Sequence, residues 1–144
     1  MAELNLAQAN LIVAKAIEQA RTMNIKPVTV VVLDNSGHLK AMQREDGASM
    51  FRFDVATGKA WAAVGMDASS RALSERAKDN PNFFITLAAT AGGKFLPQIG
   101  GVLIRDASGA ILGAAGASGG TGDEDEACCI AGIEQAGLVA DANP

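Results

Sequence analysis

The sequence predicts a single α+β domain over residues 1–144, an antiparallel sheet built from two hairpins and flanked by helices. Three observations carry this expectation. "VTVVVLDNSGHLKAMQR", residues 28–44, is a β-branched run, a turn around Asn35-Ser36-Gly37 and a returning strand. "GGVLIRDASGAILGAAGAS", residues 100–118, repeats that design, with Asp106-Ala107-Ser108-Gly109 in place of Asp34-Asn35-Ser36-Gly37. Between them lie about seventy residues of mostly helical pattern, with no linker to divide the chain. The two hairpins are therefore expected to join in one sheet.

The remaining elements follow in order. "LNLAQANLIVAKAIEQARTM" places Leu4, Ala7, Leu11, Ala14 and Ile17 at helical spacing, which predicts an amphipathic first helix stopped at Asn24. Pro27 then opens the first hairpin. "FRFDVATGKAWAAVGM" is apolar nearly all round and predicts a buried helix. "SSRALSERAKD" reads as an exposed helix with serine caps, ended by Asn80 before Pro81. "NFFITLAAT" predicts a short helix, "GGKFLPQIGG" a loop, and "DEDEACCIAGIEQAGL" the last helix, with Gly137 near its end.

Composition narrows the function. Apolar residues make up 49% of the 144, with Ala the commonest and 16 glycines besides, so close backbone packing between elements or subunits is expected. The net charge of −4 argues against a nucleic-acid partner, which needs clustered Lys and Arg. "MAELNL" has no basic n-region, and no apolar run is long enough to span a bilayer. Two adjacent cysteines make no disulfide framework and fit a reducing compartment. A cytoplasmic protein without a membrane partner is expected.

The densest chemistry is "GASGGTGDEDEACC", residues 116–129. Thr121 and Glu124 have capping-box spacing, and Asp123, Glu124, Asp125 and Glu126 fall where carboxylates complement the helix dipole. The stretch lacks the G-K-[ST] ending of a phosphate loop and the alternate-position ligands of a calcium loop. A glycine-rich strand end running into a helix start still leaves a small-anion site open. Cys128 and Cys129 point about 100° apart on a helix, which suits small core residues better than a shared metal. No metal site is expected.

Two basic residues look out of place. Lys59 has Val55, Ala56, Ala62 and Ala63 as helical neighbours, so its partner must come from another element or a ligand, unless its amine reaches solvent. Arg44 ends the first hairpin just before "EDGAS" and could clamp a carboxylate or pair with Glu45 or Asp46. His38, the only histidine, sits beside a turn glycine, which leaves no Ser-His-Asp site.

These pieces together resemble the GlcG/HbpS-like family, also found at the C-terminus of PduO-type cobalamin proteins and labelled haem-degrading. The resemblance rests on "PVTVVVLDNSGHLKAMQREDGA", "GKAWAA", the glycine pair at 100–101 and "GAILGAAGASGGTGDEDEACC". It implies a profilin-like fold, homo-oligomers from dimers to larger rings, and haem as a cofactor of some members. It also marks Arg44, Asp46, Lys59, Gly119, Gly120, Thr121, Asp125 and Glu126 as the recurring polar and glycine positions. For haem iron the residues themselves offer His38, Cys128, Cys129, Met23 and Met42, with no tyrosine and no histidine in residues 4–23.

Three functions follow. The first is an oligomeric small-ligand-binding protein for haem or a small carboxylate, with Arg44, Asp46, Lys59, Gly119, Gly120 and Thr121 around the ligand. The second is a catabolic hydrolase or isomerase acting on a hydroxy acid, an oxo acid or an aromatic-degradation intermediate. There Arg44 and Lys59 would bind the anion, and Asp125 or Glu126 would move a proton. The first turn of a helix is expected to lower those carboxyls. The third is a purely structural assembly protein.

Overall fold

The computed structural model describes residues 3–144. Helix α1 (Leu6–Thr22) leads into strands β1 (Thr29–Asp34) and β2 (Leu39–Arg44). Helices α2 (Phe51–Met66), α3 (Ser70–Asp79) and α4 (Pro81–Thr90) follow. Strands β3 (Gly101–Arg105) and β4 (Ile111–Ser118), helix α5 (Gly122–Gln135) and strand β5 (Val139–Asp141) complete the fold.

The five strands form one antiparallel sheet in the order β2-β1-β4-β3-β5. Both predicted hairpins are present, and they join because β1 pairs with β4, Thr29 opposite Ser118 and Asp34 opposite Gly113. The two turns are built alike. The Asp34 carboxylate accepts the N–H groups of Ser36 and His38, and that of Asp106 accepts those of Ser108 and Ala110. Strand β5 went unpredicted. At three residues it is too short to show alternation, and its pairing with β3 defines it instead.

Alternation along the central strands sends side chains to two faces. Val30, Val32, Val102, Ile104 and Ala115 pack under α1 and α5, whereas Val31, Leu33, Leu103 and Ala114 pack under α2. A third cluster joins α2 to α3, α4 and the following loop, where Phe95 stacks on Phe84 with ring centroids 5.9 Å apart. Every strand residue from Val30 to Val32 is buried, as a sheet covered on both faces requires.

The predicted face of α1 needs correction. Leu4 is buried and Ile17 packs against the core as expected, but Ala7, Leu11 and Ala14 point to solvent, and the buried stripe of the helix is Ala9, Ile12, Val13, Ala16 and Ala20. The reason is the neighbour. Gly132 of α5 lies so close that a Cβ there would run into the Ile12 carbonyl, so this contact selects small residues rather than leucines. Helix α2 is buried as expected, and no helix among the described residues is long and apolar enough to cross a membrane.

Candidate functional site

Strand β4 ends at Ser118, the chain turns through Gly119 and Gly120, and Thr121 caps α5. The capping box is complete: Thr121 Oγ1 accepts the Glu124 N–H, and Glu124 Oε1 accepts the Thr121 N–H. Helix α2 crosses this junction on the other face of the sheet. It comes close enough that a Cβ at Gly101 or Gly116 would strike the carbonyls of Lys59 and Ala56. An open cleft of about 670 Å³ lies between the two helices, walled on its third side by Leu96, Gln98 and Ile99. That volume suits a small organic molecule.

Lys59 enters this junction from α2 and is 5% exposed. Its Nζ donates to Ala117 O at 3.0 Å and to Asp125 Oδ2 at 3.1 Å, while Asp125 Oδ1 accepts the Gly120 N–H at 2.9 Å. The lysine thus finds both a strand end and a carboxylate, which clamps α2, β4 and α5 together. Burial pushes the Asp125 carboxyl above the ordinary aspartate value, although Lys59, the Gly120 N–H and Arg52 all pull it down. The expected lowering by the helix start is therefore overturned by desolvation.

Arg52, two turns before Lys59 on α2, lies at the mouth of the same cleft. Its Nη1 donates to Ser118 Oγ at 2.8 Å and its Nε to Ser49 Oγ at 3.3 Å. Neither partner carries charge, and among the described residues Arg52 forms no salt bridge. A guanidinium with five N–H groups keeps three of them free here.

The other predicted residues divide. Lys59, Gly120 and Asp125 line the cleft, and Gly119 and Thr121 line an adjoining cavity with Lys26 and Glu124. Glu126 is held away by Arg71, whose Nε lies 2.9 Å from Glu126 Oε2 and which also engages Asp123, tying α3 to α5. Arg44 and Asp46 sit in a different cavity, with Ile17, Gln43 and Glu45, and the Arg44 Nη1 donates to Ala48 O at 3.0 Å. Arg44 and Lys59 therefore do not share a pocket. Sequence reasoning missed Arg52 and Ser118. The spacing 52-55-59 along one face of α2 was the available signal, with Arg52 one turn beyond the i±3 and i±4 neighbours of Lys59.

Among the described residues, no side chain lining the cleft is His, Cys, Met or Tyr, the residues that ligate haem iron. His38 is exposed in the β1–β2 turn. Cys128 and Cys129 are fully buried, and burial pushes the Cys128 thiol up to about 11. Arg52 and Lys59 suit carboxylates, but the donor set does not fit haem iron within this cleft.

Comparisons with known proteins agree on the fold. The chain is similar to PduOC in the crystal structure of its heme complex, with a TM-score of 0.86 and 24% identity over 97% of this chain and 99% of that one. It is similar to HbpS, with a TM-score of 0.81 and 28% identity over 94% of this chain and 91% of that one. A double mutant of Streptomyces reticuli HbpS gives 0.81 and 29% over 94% and 88%. No curated protein matches the chain. The family described as "Haem degrading protein HbpS-like" matches residues 4–134, nearly the whole length. The α+β chain with this Lys59–Asp125 junction belongs to the HbpS-like family.

Proposed function

We propose that this chain binds a small carboxylate-bearing molecule in the cleft between α2 and the start of α5. Support comes from the haem- and small-ligand-binding character of the family and from one observation above all. Arg52 presents three free N–H groups at the cleft mouth, with serines rather than carboxylates as its protein partners. A ligand carboxylate supplies the missing counter-charge, and a bidentate contact with the planar fork suits it. Lys59 is already neutralised by Asp125, so its role is to hold the wall.

Further copies of the chain complete the reading. The exposed apolar side chains Leu6, Leu11, Phe51, Phe83 and Ile85 support a homo-oligomer, and the two free thiols support a cytoplasmic setting. The decisive experiment is calorimetric titration with ferric haem and, separately, with short mono- and dicarboxylates. Saturable carboxylate binding that Arg52→Met weakens upholds the proposal. Saturable haem binding with no carboxylate binding replaces it with haem.

A second reading, an enzyme acting on such a carboxylate, is favoured by the raised Asp125 carboxyl on the cleft wall. Its Oδ2 would accept a proton from the substrate once Lys59 lets go, and Asp125→Asn would abolish turnover while retaining binding.

A further inference from the structure

Arg52 borders two clefts, not one. On its far side, beyond the Gly119 turn, lies a cavity of about 320 Å³ whose walls include Arg52, Lys26, Ser49 and Gly47. Among the described residues no Asp or Glu lines it. The nearby acids are committed elsewhere: Glu45 pairs with Arg21 at 3.0 Å and accepts the Val28 N–H, Asp46 faces the neighbouring cavity, and Glu124, which shares a cavity with Lys26, accepts the Thr121 N–H at 2.9 Å. Lys26, like Arg52, forms no salt bridge among the described residues. Two cations without a salt-bridge partner among the described residues and a serine hydroxyl thus line a cavity that no Asp or Glu of those residues lines, in a chain whose net charge is −4.

The guanidinium geometry links the two sides. Arg52 spends one N–H of Nη1 on Ser118, which faces the first cleft, and Nε on Ser49, which faces the second. These serines fix the plane of the fork without neutralising it. Its three remaining N–H groups can serve an anion on either side.

We infer that the ligand carries two anionic groups, one in the Lys59 cleft and one between Arg52 and Lys26, so that Arg52 lies between them. This rests on the carboxylate reading and narrows it to a dicarboxylate or a carboxylate that also bears a phosphate-like group. A single anion satisfies Arg52 alone, whereas a dianion also satisfies Lys26 and gains from both cations.

The test is calorimetric titration of the full chain with butyrate and valerate against succinate and glutarate, and with phosphonoacetate. The expected result is at least ten-fold tighter binding of one of the dianions than of the matched monocarboxylates, with Lys26→Met removing most of that advantage. A preference for phosphonoacetate assigns the second group to phosphate chemistry, and a preference for succinate or glutarate assigns it to carboxylate. Equal affinity for mono- and dianions, or an advantage that survives Lys26→Met, overturns the two-anion inference and leaves the carboxylate reading standing. Absence of binding by every carboxylate overturns both.

Discussion

Lys59 and Arg52 sit seven residues apart on one face of α2, and the same cleft exposes both, yet they are cations of different kinds. Lys59 is buried, spends its charge on Asp125 and its second contact on Ala117 O, and binds three elements together. Arg52 is only partly buried and leans on two hydroxyls, which position it without cancelling its charge. The contrast teaches how to read a basic residue in a cleft. A carboxylate partner makes the cation a fastener, and neutral partners leave it available to a ligand.

The largest expected effect breaks the fastener. Lys59→Met leaves the Asp125 carboxylate buried without a counter-charge, which costs about 3–5 kcal/mol of stability. Urea unfolding at neutral pH measures it. Lys59→Met combined with Asp125→Asn should recover most of the loss, because the Asn oxygen still accepts the Gly120 N–H and no charge is stranded. A double variant as weak as the single one would show that packing, not the stranded charge, sets the cost.

The same variant has a pH signature with a definite sign. Burial raises the Asp125 carboxyl in the folded chain above the ordinary value of 3.8, so the folded state holds that proton more tightly than the unfolded state. This group's contribution is therefore fully present below 3.8 and declines as pH rises through the folded value. Removing Lys59 takes away a charge that pulls the carboxyl down and raises it further. The Lys59→Met deficit should thus be greatest at neutral pH and shrink as acid neutralises Asp125. A deficit constant from pH 7 to pH 4 contradicts the assignment of Lys59 as its counter-ion.

Much of this was legible in the residues, for physical reasons that can be named. Both hairpins announced themselves through β-branched runs and Asp-x-Ser-Gly turns, which are local signals. Thr121 and Glu124 declared the start of α5 because a capping box is local too. Lys59 advertised a partner on another element, but only the fold could say that it was Asp125, 66 positions away. Arg44 drew attention because it ends a strand, yet the β1–β2 register carries it to a separate cavity. The packed face of α1 was misjudged because leucines outweigh alanines in a periodicity count, while contact with α5 selects small residues.

A smaller effect probes whether a carboxylate network at the same helix start behaves as fastener or bystander. Arg71 grips Glu126 with Nε and Nη2 and also engages Asp123, with its side chain 30% exposed. Charge-assisted contacts to the mostly buried Glu126 are worth more than a surface pair, and solvent screens the Asp123 side. Arg71→Ala is therefore expected to cost about 1–2 kcal/mol. That lies well below Lys59→Met, and because Arg71 lies outside the cleft but engages Asp123, which lines it, carboxylate affinity should fall by much less than the ten-fold expected at Arg52. Comparing urea midpoints of the two variants ranks the fasteners.

The smallest expected effect on stability is at Arg52, and there the comparison is sharpest. Arg52→Met preserves much of the apolar stem and leaves only serine hydroxyls to find other partners, so its unfolding free energy should shift by no more than about 0.5 kcal/mol. Carboxylate affinity, in contrast, should fall at least ten-fold, since the cleft-mouth cation that forms no salt bridge among the described residues is gone. Arg52→Lys should restore only part of it, because an ammonium cannot reproduce the planar two-point contact. Measured together, unchanged stability with lost binding defines Arg52 as a ligand residue. Lost stability with unchanged binding would make it a second Lys59, its serines enough to make it structural.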